Sequence, residues 1–209
     1  MAHQNASCCR GGGPHGGSCD PGRTGAPRPP PPDIGFARMT GAWVKDVETR
    51  QLIGGPAYQM SLASREDFLR PRLTPSFDGV YLMIEVIDAP EPVVIGAIEL
   101  RKITPEHRSA EVGILLGDRA YWARGYGTDA MRTICRFAFE EMDLHRIHLG
   151  VMEFNTRAVR SYERVGFVAE GRLRQDTYLD GDYYDTLAMG LLCEDFEAAE
   201  RARSAASHG

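Results

Sequence analysis

Residues 121–130 read Tyr-Trp-Ala-Arg-Gly-Tyr-Gly-Thr-Asp-Ala, and this stretch decides the fold because it joins a predicted strand to a predicted amphipathic helix. Gly125 and Gly127 lack side chains, so the backbone there can come close to a ligand. The first N–H groups of the following helix have no acceptor within it, and the helix dipole adds partial positive charge at that end. The stretch therefore predicts a loop that cradles a phosphate group.

Two common nucleotide-binding loops also contain closely spaced glycines, and the neighbouring residues exclude both of them here. No Lys-Ser or Lys-Thr pair follows Gly127, so the loop is not the phosphate loop of nucleotide-hydrolysing enzymes. The third glycine of a dinucleotide-binding fingerprint and its strand-helix-strand repeat are both missing. On the loop alone, a tight turn without a ligand stays open.

Hydrophobic periodicity places the loop in an α+β domain. Alternating or continuous apolar residues predict strands at 80–87, 93–103, 109–116, 146–151, 167–173 and 183–192. Apolar residues at three- and four-residue spacing, together with capping residues, predict helices at 43–53, 61–69 and 128–142, and one that Asn155 caps and Gly166 ends. Short connections indicate an antiparallel meander of the first three strands, and Asp180-Gly181-Asp182 indicates a turn in the last pair.

The N-terminal segment differs in composition from the rest of the chain. Residues 1–33 contain seven glycines, seven prolines and no Val, Ile, Leu, Phe, Tyr or Trp. Such a segment cannot bury enough apolar surface to offset the entropy of ordering. We predict a disordered tail over 1–33, a domain over 34–195 and a helical or disordered extension over 196–209. Cys8, Cys9, His15 and Cys19 match no common zinc spacing, so we predict no metal site.

Composition bounds the function of this 209-residue chain. Its hydrophobic share of 43% suffices for a sizeable core, and no apolar run reaches the roughly 18 residues of a membrane-spanning helix. A net charge of -5 leaves no basic excess for nucleic acid. The five cysteines are odd in number and irregularly spaced, which is not typical of a disulfide framework. We expect a cytoplasmic protein whose partner is neither a membrane nor a nucleic acid.

Two motifs downstream of the loop add to its meaning: Asn155-Thr156-Arg157-Ala158 and Tyr162-Glu163-Arg164-Val165-Gly166-Phe167. Together with residues 121–130 and Leu144-His145-Arg146-Ile147, they resemble the GNAT acetyltransferase superfamily, and in particular its ribosomal-protein N-terminal acetyltransferase branch. The resemblance covers residues 80–192. Asp129 stands where the superfamily loop usually has Gly or Ala, a departure typical of that branch.

The resemblance implies a fold: a mixed, mostly antiparallel twisted sheet of about six to seven strands, flanked by helices, with two splayed strands that bind acyl-coenzyme A. The branch normally opens with a strand before its first helix. Upstream of Trp43 only the short, glycine-broken stretch 34–41 is available for that strand. We therefore expect the strand to be either degenerate or missing.

The resemblance also implies the activity, which is direct transfer of an acetyl group from acetyl-coenzyme A to a primary amine without a metal. The loop would hold the pyrophosphate, and the backbone of residues 113–116 would pair with the pantetheine arm. Asn155 would either hydrogen-bond that arm or serve only as a helix cap. The implied cofactor-binding residues are Leu115, Leu116, Arg124, Gly125, Tyr126, Gly127, Thr128 and Asn155.

Tyr162 and Glu111 are the candidate catalytic residues. In the family, the tyrosine at the position of Tyr162 gives a proton to the departing thiolate, and a phenol with a pKa of about 10 suits that leaving group. Its alternative role is that of a core aromatic residue. Glu111 could take the proton of the amine through a water molecule, or it could be a solvated surface residue. His145 and His148 are interpreted as structural.

The acceptor amine stays open between a protein or peptide N-terminus, a polyamine and an aminoglycoside-like compound. Asp180, Asp182 and Asp185 could attract a cationic amine or could simply be solvated. A non-catalytic acyl-coenzyme A binder is the alternative to an enzyme, and it would keep the loop but lose the proton-transfer groups. Tyr162 and Asn155 favour the enzyme over that binder. A plain interaction module would not explain this combination of motifs, and a homodimer is compatible with the resemblance.

Overall fold

The structure is a computed structural model that describes residues 34–54, 61–73, 79–87 and 91–206. The tail 1–33 with its three cysteines, and part of the turn between the first two predicted strands, lie outside the described residues. In the part of the chain that is described, no helix is long and apolar enough to cross a membrane.

The described residues form six helices and six strands in an α+β arrangement. Three helices come first: α1 (Ile34–Lys45), α2 (Val47–Leu52) and α3 (Leu62–Leu73). The next elements are β1 (Gly79–Val86), β2 (Val93–Thr104), β3 (Ser109–Leu116) and α4 (Tyr126–Glu140). The last are β4 (Arg146–Met152), α5 (Thr156–Glu163), β5 (Val168–Leu179), β6 (Asp182–Leu192) and α6 (Cys193–Ala206).

The strands form one sheet in the order β1-β2-β3-β4-β6-β5. Every neighbouring pair is antiparallel except β3 and β4, which are parallel. The predicted meander of the first three strands and the final hairpin are therefore confirmed. Asp180 (φ 50°) and Gly181 (φ 103°) both have left-handed backbones, as a two-residue turn whose twist matches that of a hairpin requires.

Of the two alternatives for the first strand, degenerate or missing, the described residues agree with the second. Residues 34–41 lie in helix α1, and no strand precedes β1 among the described residues. Trp43 of α1 lies flat on Gly117, just after β3, where an added Cβ would come within 1.8 Å of the indole. The missing side chain of Gly117 thus allows α1 to pack directly on the backbone that leads out of β3.

Two apolar clusters lie on opposite faces of the sheet, since neighbouring strand residues point to opposite sides. Ile84 and Val86 of β1 belong to the larger cluster, in which the buried face of α4 and residues of α6 also pack. Met83, beside Ile84, belongs to a smaller cluster with α1 and α3. Residues beyond 195 contribute to the larger cluster, because the Phe196 ring of α6 is buried against Phe139, with 5.4 Å between ring centroids.

Candidate active site

Strands β3 and β4 run side by side only at their beginnings. Their parallel pairing joins residues 109–111 to residues 146–148, although β3 continues to Leu116 and β4 to Met152. The two strands diverge beyond this pairing, and their later residues line a cleft of about 660 Å³. The predicted splay is therefore present, and it opens within the sheet rather than at its edge.

Backbone alternation decides which residues of β3 face this cleft. The Gly117 N–H donates to the Ile95 carbonyl at 2.9 Å, so Gly117 and every second residue before it turn their backbone groups toward β2. Leu115 is one of these and pairs with Ala97 of β2. Its backbone therefore does not face the cleft, although Leu115 does line the cleft wall.

The residues of β3 that lie between these turn their backbone groups away from β2, toward the side where β4 diverges. Leu116 is one of them, but its carbonyl already accepts a hydrogen bond from the Trp122 indole N–H at 2.9 Å. Ile114 is the other that lies beyond the paired part of the strands. The backbone groups on the cleft side of β3 are therefore those of Ile114 and the N–H of Leu116, and not those of Leu115.

Helix α4 begins at the same cleft. Its N-cap residue Gly125 has a left-handed backbone (φ 91°, ψ -19°), and no side chain of the described residues caps the helix there. The N–H groups of Gly127 and Thr128 have no acceptor within the helix, as helix geometry requires. With the helix dipole, this end of α4 provides the donors and the partial positive charge that an anion such as a pyrophosphate needs.

Most of the residues expected to bind the cofactor line this one cleft. They are Leu115, Leu116, Gly125, Gly127, Thr128 and Asn155. Arg124 is exposed, with its guanidinium carbon 6.0 Å from the centroid of the Tyr121 ring. Tyr126 is buried, with its ring edge-on to that of Tyr121 at 5.6 Å. The Tyr126 side chain therefore belongs to the core, and the structure places Arg124 outside the cleft wall.

Sequence reasoning missed the basic face of α5. Arg157 and Arg160 of α5 and Arg164 directly after it recur at three- and four-residue spacing, and all three line the cleft. The Arg157 guanidinium lies 4.1 Å from the centroid of the Trp122 ring. This spacing, close to the loop that is predicted to bind a phosphate group, was the signal that could have identified them.

Two hydrogen bonds hold α5 and α2 against the cleft. The hydroxyl oxygens of Ser161 in α5 and Thr128 in α4 are 2.7 Å apart. Asn155 caps α5, since its Oδ1 accepts from the Ala158 N–H at 3.2 Å, and its Nδ2 donates to the Leu52 carbonyl of α2 at 3.2 Å. The predicted cap is confirmed, and the cap and the contact to α2 together occupy the oxygen and one N–H of this amide.

Tyr162 lines the cleft near the end of α5 and is partly buried. Its ring packs against Phe167 with 5.9 Å between centroids. Burial raises the pKa of Tyr162 to about 12. The phenol is therefore protonated at neutral pH, which is the state that a proton donor requires.

Glu111 occupies a different environment from the one expected of a base. Its carboxylate is bound by Arg101 and by the Lys102 ammonium, whose Nζ lies 2.7 Å away. Burial alone would raise the pKa of Glu111, but the hydrogen bonds and charges of these two residues outweigh it and lower the pKa to about 2. Because so weak a base takes up a proton poorly at neutral pH, this environment disfavours the expected role.

The acidic residues near the last turn also contact the chain itself. Asp180 accepts a hydrogen bond from Gln51 at 2.7 Å, and Asp185 accepts one from the Gln175 N–H at 2.8 Å. Asp180, Asp182 and Asp185 are absent from the cleft wall formed by the described residues. The suggested attraction of a cationic amine therefore has no support from their positions.

Comparison with known proteins agrees with this architecture. The family model described as the acetyltransferase (GNAT) domain matches residues 28–168. The chain belongs to the GNAT acetyltransferase family. The crystal structure of spermidine N-acetyltransferase from Vibrio cholerae in complex with CoA and spermine superimposes with a TM-score of 0.70 at 26% identity, covering 78% of this chain and 94% of that one.

The GNAT relatives of this chain are named for more than one activity. The spermidine N(1)-acetyltransferase of Vibrio cholerae is 33% identical over 107 residues, a match that covers 51% of this chain and 61% of that protein. The putative ribosomal N-acetyltransferase YdaF of Bacillus subtilis is 26% identical over 154 residues, covering 72% of this chain and 84% of that protein. The family and the fold are thus shared, while the acceptors named for these relatives differ.

We predict that Glu111→Gln destabilises the protein at pH 7 and that the difference from wild type narrows as the pH falls from about 5 toward 2. A carboxylate whose folded pKa is depressed stabilises the fold above its unfolded pKa, and this contribution is lost as the pH falls through the folded value. Urea unfolding at pH 7 and pH 3 measures the difference. Glu106→Gln, at an exposed position, is the matched control and should change little at either pH. An equal destabilisation by Glu111→Gln at both pH values would contradict the assigned ion pairs.

Proposed function

We propose that this protein transfers the acetyl group of acetyl-coenzyme A to a primary amine within a ternary complex. The observation that carries the proposal is that one cleft joins three features: the uncapped end of α4, the backbone of Ile114, and Tyr162. These suit, in that order, the pyrophosphate, the amide-bearing pantetheine arm and the thioester sulfur of acetyl-coenzyme A. A tight turn without a ligand would explain the end of α4, but it would require neither the open backbone of Ile114 nor Tyr162 in the same cleft.

The polar groups of the cleft match the chemistry of this substrate. The N–H groups of Gly127 and Thr128 would receive the pyrophosphate, and Arg157 and Arg160 would supply charge beside it. The pantetheine arm carries amides, so it can complete the hydrogen bonds that Ile114 lacks on its β4 side, as an added strand would. No group of His, Cys, Asp or Glu that could hold a metal occurs among the described residues.

The chain's own groups define the chemical step. The amine nitrogen attacks the thioester carbonyl carbon, the carbon–sulfur bond then breaks, and Tyr162 gives its phenolic proton to the departing thiolate. The attacking nitrogen releases its extra proton to solvent, and solvent returns a proton to the Tyr162 phenolate. Burial raises the pKa of Tyr162 to about 12, so the phenol is protonated when the reaction begins. Glu111 is not assigned a role, because Arg101 and Lys102 hold its carboxylate.

The acceptor is a small-molecule or peptide amine in this proposal. The relatives named for spermidine and for ribosomal N-acetylation support an amine acceptor of either kind. The two described cysteines, Cys135 and Cys193, are buried, and neither forms a disulfide within the described residues, which fits the reducing cytoplasm where we place the enzyme.

We also propose that the protein forms a homodimer through β5. This strand lies at the end of the sheet and leaves one row of backbone groups without a neighbouring strand among the described residues. Large apolar side chains there are more than half exposed: Val168, Leu173 and Tyr178, together with Tyr183 of β6. Sedimentation velocity should show a dimer at micromolar concentration and a monomer for the double variant Leu173→Glu, Tyr178→Glu. A wild-type monomer would contradict this assembly.

Acetyl-coenzyme A should raise the Tm of the protein, and Gly127→Trp should abolish that shift. Position 127 lies in the first turn of α4, and even a Cβ there would come within 3.0 Å of Leu116. A ligand that binds only the folded state raises the Tm. Gly171→Trp is the control, because a Cβ at Gly171 meets no atom within 4 Å. A full shift in Gly127→Trp would place the pyrophosphate elsewhere.

Tyr162→Phe should lower kcat by about 10²-fold or more while the Kd for acetyl-coenzyme A stays nearly constant. The substitution removes the phenolic oxygen and keeps the ring that packs on Phe167. Release of free thiol with an accepted amine measures kcat, and calorimetric titration measures Kd. Wild-type turnover in this variant would exclude Tyr162 as the proton donor. Turnover by neither protein, with tight cofactor binding in both, would support the non-catalytic binder instead.

A further inference from the structure

One wall of the cleft lies on the β1–β2 side of β3, away from the loop at residues 124–128. It is formed by Arg65 and Phe68 of α3, Tyr81 of β1, and Glu99 and Arg101 of β2. Tyr81 and Glu99 are register partners, and Glu99 in turn pairs with Gly113 of β3. These residues therefore form a continuous wall from α3 to the diverging end of β3.

Arg65 is the unusual member of this wall. It is only 7% exposed, and its Nε donates to the Thr40 hydroxyl at 3.2 Å. The ring of Phe68 lies 5.1 Å from its guanidinium carbon. Within the described ranges, no carboxylate lies within ion-pairing distance of Arg65, and its two terminal nitrogens make no hydrogen bond there. A buried guanidinium that lines a cleft in this state has donors available for an anion.

Among the described residues, the charges near Arg65 do not neutralise it. Glu99 is the acidic residue of this wall, and its carboxylate is already bound by Arg72 at 3.4 Å and by Arg101 at 2.5 Å. Tyr81 stays uncharged, since burial raises its pKa to about 12. Burial lowers the pKa of Arg65, with smaller opposing contributions from Tyr81 and Glu99. The wall therefore carries an excess of positive charge.

We propose that Arg65 binds a carboxylate of the acceptor, so that the acceptor is an amine that also carries a carboxylate. A planar guanidinium fork matches a carboxylate in a two-point contact. An amino acid and a peptide with an acidic residue near its N-terminus share this chemistry. This inference rests on the proposed acetyl transfer and names the substrate class for the same cleft. A polyamine, which carries only positive charges, would meet Arg65 without a compensating anion.

The test compares acceptors that differ only in charge. Wild-type protein and acetyl-coenzyme A are incubated with L-amino acids and their α-carboxamides, with peptides beginning Ala-Asp or Ala-Asn, and with spermidine, and kcat/KM is measured by thiol release. We expect the carboxylate member of at least one pair to exceed its amide by about 10-fold or more. Preference within the amino acid pairs indicates a free amino acid, and preference within the peptide pair indicates an acidic peptide.

Variants then assign this preference to Arg65. Arg65→Gln should reduce the ratio within the preferred pair to about one and leave the Tm shift by acetyl-coenzyme A unchanged, while Arg65→Lys should retain part of the ratio. Arg70→Gln removes the same charge from an exposed position on the same helix and should leave the ratio unchanged. If Arg65→Gln shows no Tm shift because it does not fold, the kcat/KM ratios of the wild type and of Arg65→Lys still test the proposal.

Three results would overturn the inference in distinguishable ways. Faster wild-type turnover of amides or of spermidine than of carboxylates would contradict it and leave acetyl transfer intact. A carboxylate preference that survives in a folded Arg65→Gln would place the anion site elsewhere. Absence of turnover with every acceptor, although acetyl-coenzyme A binds, would contradict the proposed function itself and the inference with it.

Discussion

Because β3 and β4 stop pairing after residues 111 and 148, the backbone groups of Ile114 that face away from β2 have no strand partner among the described residues. Unpaired backbone groups in a buried position are costly, and a folded chain normally pairs them with another strand, a side chain or water. Here the chain pairs only some of these groups: the indole N–H of Trp122 donates a hydrogen bond to the Leu116 carbonyl. The remaining groups are available to an extended, amide-bearing ligand, and the other parts of the site are arranged around this opening.

The surrounding elements keep the strands apart rather than closing the gap. Helix α5 is fixed to the first turn of α4 through Ser161 and Thr128. Asn155 connects the start of α5 to α2. The protein has a net charge of -5, yet arginines line the cleft both on α5 and on the wall formed by α3 and β2. We interpret the arginines of α5 as binding the phosphates of acetyl-coenzyme A, and Arg65 of α3 as binding the acceptor.

Local patterns in the sequence predicted much of this arrangement. The strand periods, the Asn155 cap and the loop at residues 121–130 depend on neighbouring residues and were recognisable without a structure. The environment of Glu111 could not be recognised in this way, because its pKa depends on Arg101 and Lys102 of the neighbouring strand β2. Lys102 has a left-handed backbone (φ 51°) and lies at an irregularity in the β2–β3 register. The sequence also could not show that Arg65 has no acidic partner among the described residues, since a helical pattern does not predict which side chains a residue contacts. For residues 34–41 the sequence left open whether the first strand is degenerate or missing, and it did not indicate the helix that forms there, which packing of α1 against β1 and α3 favours.

The most direct test of this account is amide hydrogen exchange at single-residue resolution, with and without coenzyme A. The amide of Leu115, bonded to β2, should exchange slowly in both states. The amide of Ile114 should exchange much faster in the free protein and become protected when coenzyme A binds. An Ile114 amide that is already as protected as Leu115, or that stays unprotected in a saturated complex, would contradict the central claim that the splayed backbone binds the cofactor.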